Sequence, residues 1–290
     1  MLRVGAPLGW VVLSFTAALF VVNLTWSKAA TTGEAVGLDA VRASGVIRFG
    51  ADFAGAPGAF FDDNHVMQGS DYELCNAAAA RLGLKATWTN LSFGGLIPAL
   101  IAERFDAICS AMYVTPERSK VLVFVPYRRS GYGGAVVKGN PNNVHDVSDM
   151  CGLNAVTVLG TVHEKQIRAQ NQTCIAEGKK EIDLKTFSNA ADAASQLVDA
   201  RADIWLEGDP VLGFYIHKQS NAIQQAFMGK DPRFIGVGIM PDNAALGQAI
   251  SSAFATMKAD GTYRKILGKY GLDAGAISTF DVHPVVGTSM

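Results

Sequence analysis

The chain has 290 residues, of which 49 % are apolar, 18 % charged and 9 % aromatic. That length corresponds to one large or two ordinary domains with a core that needs no staples, and the composition excludes a disordered polyampholyte. Basic and acidic residues number 25 and 26, for a net charge of -1, which argues against a nucleic-acid partner because that calls for a clustered basic surplus.

Residues 1–30 stand apart. After Met1-Leu2-Arg3, the run Val4 to Trp26 carries no charge and is rich in Leu, Val and Phe; Lys28 closes it. A short basic start followed by an apolar run is an export signal. Ser27-Lys28-Ala29 suits a signal peptidase, and the run is also long enough to span a bilayer as an uncleaved anchor. No cysteine follows it to carry a lipid. In either case the rest of the chain is expected outside the cytoplasm, where disulfides persist.

Beyond a small-residue linker at 29–37, strands and helices alternate. Val46 to Gly50 predicts a strand, Asp71 to Arg81 an Ala-rich helix stopping at Gly83, and Ala86 to Thr89 a strand. Leu96 to Ala102 predicts a helix and Phe105 to Ser110 a third strand. The alternation restarts after Gly131-Tyr132-Gly133-Gly134, of which Gly131-Tyr132-Gly133 reads as a hinge or turn. Strands follow at Ala155–Leu159, Ile182–Phe187, Asp203–Leu206 and Phe234–Met240, with helices at Thr161–Gln170 and Ala190–Asp199. A later helix carries Leu246, Ile250, Ala253, Phe254 and Met257 on one face, and a short one spans Tyr263–Tyr270. This is an α/β pattern with mainly parallel sheets, and two such units joined by a glycine-rich crossover leave a cleft suited to a ligand.

Catalytic and metal motifs are absent. The five histidines show no metal spacing, no His-Glu-x-x-His or Gly-x-Ser-x-Gly occurs, and there is no phosphate loop. The four cysteines, Cys75, Cys109, Cys151 and Cys174, are too few for a disulfide scaffold and contain no Cys-x-x-Cys pair. The informative segment is Phe105 to Arg118, ending in Thr115-Pro116-Glu117-Arg118. An arginine at a strand end beside a cleft suits a carboxylate, because its planar fork pairs with two oxygens.

With this turn, Gly69-Ser70-Asp71-Tyr72-Glu73-Leu74 and Phe93-Gly94-Gly95-Leu96-Ile97-Pro98-Ala99-Leu100, the chain from Val46 to about Gly271 resembles the bacterial extracellular solute-binding proteins, family 3. The resemblance implies a two-lobed periplasmic-binding-protein fold (type II). Lobe 1 would comprise 44–129 and 239–272, lobe 2 136–235, and 273–290 a tail. It implies capture of a polar amino acid and delivery to the permease of an ABC importer, as a monomer without cofactor or metal. Carried over residue by residue, Arg118 clamps the ligand carboxylate and Thr161 adds to that clamp. Ser110, Ala111 and Tyr113 contact the ligand, Asp209 pairs with its ammonium, and Asp52 and Phe93 face its side chain. Val162 stands where the family often has a hydroxyl. The stacking aromatic usual near Gly55 is missing, with Phe53 or Phe60 as replacements, and Glu207 rivals Asp209. The resemblance also implies a Cys151–Cys174 disulfide, leaving Cys75 and Cys109 as buried thiols. Two rival readings stay open. One is a dehydratase-like enzyme on the same scaffold, with Glu207 or His163 as acid; the other is a ligand-sensing module retained at the membrane.

Overall fold

The computed structural model describes residues 37–283. The N-terminal apolar run, with its expected signal or anchor, lies outside the described residues, as does 284–290 at the end of the expected tail. Among the described residues no helix is long and apolar enough to cross a membrane.

The chain opens with α1 (Leu38–Ser44) and β1 (Val46–Ala51), then a small antiparallel sheet of β2 (Ala54–Gly55), β3 (Ala59–Phe61) and β4 (Met67–Gln68). Helix α2 (Ser70–Arg81), β5 (Lys85–Asn90), α3 (Leu96–Ile101), β6 (Ala107–Ile108) and β7 (Val123–Ser130) follow. A second group holds β8 (Tyr132–Val137), β9 (Asn154–Val158), α4 (Val162–Ala176), β10 (Asp183–Phe187), α5 (Ala190–Val198), β11 (Ile204–Gly208), α6 (Asp209–Lys218) and β12 (Ile223–Met228). The chain then returns through β13 (Arg233–Ile239) to α7 (Ala244–Ala259) and α8 (Thr262–Lys269).

Two five-stranded sheets result, ordered β5-β1-β6-β13-β7 and β10-β9-β11-β8-β12. We call the halves built on them lobe 1 and lobe 2. In each, three parallel strands are followed by one antiparallel strand and a fifth that pairs antiparallel with it. The chain passes from lobe 1 to lobe 2 at Gly131 and back between β12 and β13. The apolar face expected on the late helix is buried as α7, at Leu246, Ile250, Ala253, Phe254 and Met257, against Val125 and Val237 of the lobe 1 sheet. Each of the larger ones, Leu, Ile, Phe or Met, contributes about 1.5–3 kcal/mol when fully buried.

Several expectations are corrected. The strand expected at Phe105–Ser110 pairs only over Ala107–Ile108, because the chain turns away afterwards and Ala111 takes a left-handed backbone, φ 45°. Tyr132 and Gly133, expected in a hinge or turn, lie in β8 together with Gly134. Their glycines serve packing, since a Cβ on Gly134 would collide with the Phe227 ring of β12. Strand β7 has no alternation to read. Val125 and Tyr127 enter the core beneath α7 while Phe124 enters the core on the other face, so both faces are apolar.

Cys151 and Cys174 are disulfide-bonded, with Cα atoms 5.6 Å apart. Cys75 and Cys109, expected as separate thiols, are also bonded to each other, Cα atoms 6.8 Å apart. Helix α2 lays Cys75 over the end of β6, where Cys109 points into the same core; a separation of 34 residues leaves no local trace of that meeting.

Candidate functional site

A cavity lies between the lobes, where strand ends and helix starts converge. Eight of the nine residues expected to touch a ligand are in its wall: Asp52, Phe93, Ser110, Ala111, Tyr113, Arg118, Thr161 and Val162. The ninth, Asp209, is not. Strand β11 continues through Glu207 to Gly208, so Asp209 opens α6 and turns toward Gly131, whose missing Cβ leaves room for its carboxylate. Glu207, the rival, is in the wall together with His163. Neither Phe53 nor Phe60 replaces the missing aromatic. Phe53 is buried in a cluster with Phe61, Tyr72 and Trp88, Phe60 meets the Phe214 ring of α6, and the cavity wall there is Ala54 and Gly55.

Arg118 has 8 % of its surface exposed. Its Nη1 donates to the Tyr113 carbonyl at 2.8 Å and its Nη2 to the Gly160 carbonyl of lobe 2 at 3.1 Å. The guanidinium lies 5.3 Å from the Phe93 ring centroid. No acid among the described residues forms an ion pair with it. Burial lowers its pKa to about 10, opposed only by Glu117, so it stays charged at neutral pH. A buried cation without a counter-charge is costly unless one arrives.

Opposite it, α4 starts just after Thr161. The Thr161 hydroxyl accepts from the Glu164 amide at 3.2 Å and donates to the Val158 carbonyl at 2.7 Å, so the cap is satisfied locally. The first N–H groups of a helix have no intrahelical acceptor and carry the positive end of its dipole, which favours an anion. This helix start and the Arg118 fork face one cavity.

The remaining polar groups differ in how far the chain already satisfies them. Asp52 accepts from the Ala54 and Phe93 amides at 2.9 and 3.1 Å, and burial raises its pKa. The Ser110 hydroxyl accepts from the Asp52 amide at 3.0 Å. Tyr113 donates to the Gly131 carbonyl, and burial pushes its pKa up to about 12. In lobe 2, His163 Nε2 lies 3.2 Å from Glu207 Oε1, which also accepts from the Gly208 amide at 2.9 Å. Asp209, on the hinge side, has a pKa raised to about 6 by burial, opposed by the nearby His163 charge.

Three polar wall residues were not singled out as site candidates from the sequence: Asp71, Arg128 and Ser130. Asp71 is fully buried in the first turn of α2, and the Tyr127 hydroxyl, whose pKa burial and the Asp71 charge both raise, is close by. Arg128 is 2 % exposed. The available signal was a charged residue at the end of the otherwise apolar run Val123-Phe124-Val125-Pro126-Tyr127.

Comparison with known proteins converges on one group. The model of the family "Bacterial extracellular solute-binding proteins, family 3" matches residues 47–273. The ABC transporter arginine-binding protein 1 of Escherichia coli (strain K12) is 31 % identical over 232 residues, 76 % of this chain and 88 % of that protein. Among solved structures, an ancestral arginine-binding protein bound to arginine has a TM-score of 0.73 at 28 % identity, covering 78 % of this chain and 98 % of that one. An ancestral amino-acid-binding protein, a precursor of cyclohexadienyl dehydratase, has a TM-score of 0.72 at 28 % identity, covering 80 % and 98 %.

Proposed function

The chain belongs to the bacterial extracellular solute-binding proteins, family 3, and from that premise we propose that it captures an amino acid in the periplasm and delivers it to the permease of an ABC importer. The observation that carries this reading is Arg118, a buried guanidinium that no acid of the described chain pairs, facing a helix start across a cavity between two lobes. The ligand α-carboxylate takes both, and its arrival supplies the counter-charge that Arg118 lacks. Arg118 also reaches the Gly160 carbonyl of lobe 2, so the group that binds the carboxylate helps hold the lobes together. Glu207 accepts the ligand ammonium, since it lines the cavity and Asp209 does not. The chain works as a monomer and by binding, without turnover.

A thermal-shift screen of the mature chain against the amino acids tests this, because a ligand that binds only the native state raises the melting temperature. The reading expects a concentration-dependent rise with at least one amino acid and unchanged ligand afterwards. The buried His163–Glu207 pair favours a second reading, an elimination catalyst acting on a small carboxylic acid. Consumption of a cyclohexadienyl acid, with no shift from any amino acid, would establish it instead.

A further inference from the structure

We infer that Arg128 and Asp71 form a second subsite in the same cavity, which reads the far end of the ligand, and that the captured amino acid ends in a carboxamide or ureido group. The inference rests on the capture reading above and narrows it.

Arg128 reaches the cavity from β7 and is 2 % exposed, yet its side chain forms no ion pair or hydrogen bond with a described residue, and its buried Nε has no partner. Asp71 reaches the same cavity from the first turn of α2 with none of its surface exposed. Its Oδ1 takes the Ser70 hydroxyl at 3.2 Å, and its Oδ2 has no partner within hydrogen-bond distance, the Tyr127 hydroxyl being the nearby donor of the chain itself. The Oδ2 rests against Gly58, where a Cβ would come within 2.9 Å, so glycine keeps its approach clear. The other two acids of the wall have their roles: both oxygens of Asp52 accept backbone N–H groups, and Glu207, whose Oε1 meets His163 and Gly208, takes the ligand ammonium on the capture reading. Asp71 therefore offers the free acceptor and Arg128 the free donor.

Buried polar groups left unmade are costly, most of all when charged. A ligand terminus that settles both must accept from the guanidinium and donate to the carboxylate. A carboxylate terminus satisfies Arg128 and sets a second negative charge against Asp71. An ammonium or guanidinium does the reverse. An apolar end leaves both groups unmet. A carboxamide or ureido group presents an oxygen and an N–H₂ side by side and meets both. Sites built around such bonds discriminate strongly against analogues that lack them.

Calorimetry on the full mature chain with glutamine, citrulline, glutamate, arginine and norvaline tests the inference. Glutamine or citrulline is expected to bind about 10- to 100-fold tighter than each of the other three. In Arg128→Met the advantage of glutamine over norvaline is expected to vanish. Tighter binding of arginine, glutamate or norvaline in the unmutated chain overturns the inference, and so does an Arg128→Met variant that keeps the glutamine advantage. Should that variant fail to fold, the ranking in the unmutated chain decides alone. If amino acids bind in another order, only this inference falls; if none binds, the capture reading falls and takes it along.

Discussion

Lobe 1 runs β5-β1-β6-β13-β7 and lobe 2 runs β10-β9-β11-β8-β12, the same succession of parallel and antiparallel neighbours, and each lobe carries one disulfide. What they bring to the cleft differs. Lobe 2 partners more of what it brings to the cavity: Glu207 Oε1 bonds His163 and its own chain, and Thr161 closes its cap with Glu164 and Val158, while His163 Nδ1 and, outside the cavity wall, Asp209 Oδ1 have no hydrogen-bond partner. Lobe 1 leaves two buried arginines without an acid, Arg118 and Arg128, and one carboxylate oxygen of Asp71 without a partner. The shared scaffold thus explains the shape of the cavity, while the unequal treatment of charge explains what enters it. On the capture reading proposed above, lobe 1 supplies the need for a ligand, and lobe 2 an anion-favouring helix start and, in Glu207, an acceptor for an ammonium.

The sharpest way to break this comparison is to remove the need. Arg118→Ala is expected to weaken amino-acid binding by more than about a hundredfold, on the scale of breaking a buried ion pair, while circular dichroism and the melting temperature without ligand stay close to those of the unmutated chain. A variant with near-normal affinity in calorimetry would put the clamp elsewhere. Next comes the acceptor in lobe 2. Glu207→Gln is expected to weaken a zwitterionic amino acid by about tenfold, as for a lost hydrogen bond to a charged group, and to leave its des-amino analogue unaffected. Asp209→Asn should change neither affinity. The opposite pattern would return the ammonium to Asp209.

The two disulfides test the symmetry of the scaffold. Thiol counting on the denatured, unreduced chain should find no free group, against four after reduction; two free groups would mean that only one lobe is stapled. Reduction is expected to lower stability by roughly 3 kcal/mol for each bridge in the chain-entropy account. The smallest effect concerns Asp209. Its folded pKa of about 6 lies above the ordinary 3.8, so the folded chain binds that proton more tightly than the unfolded one. The stabilising contribution is full below about pH 4 and lost as the pH rises through 6. Asp209→Asn, which cannot ionise, should therefore melt higher than the unmutated chain at pH 7.5 and no higher at pH 4. Parallel melting curves at both pH values would show that burial imposes no such cost.

Much of the scaffold was legible because its signals are local. The Ala-rich helix before Gly83 and the three-and-four spacing from Leu246 to Met257 announce themselves. Strand β7 and the glycines of β8 did not, because both faces of β7 are buried and the small residues of β8 make room for Phe227, a partner 93 residues away from Gly134 in the chain. The place of Arg118 in the cavity wall was readable from Thr115-Pro116-Glu117-Arg118 through resemblance. The Glu207 placement was not, since it turns on whether β11 stops at Leu206 or runs on to Gly208, a matter of two residues. Asp71 and Arg128 stood within familiar stretches, and only the fold shows that both end in the cavity with hydrogen bonds unmade.

The central claim is that a ligand carboxylate completes a site that lobe 1 leaves one charge short. The most direct test is calorimetry of the unmutated chain with its best amino acid, the amine lacking only the carboxylate, and the acid lacking only the ammonium. The account predicts one ligand bound per chain, the largest loss of affinity on removing the carboxylate and a smaller one on removing the ammonium. Equal binding of the amino acid and its amine would contradict it.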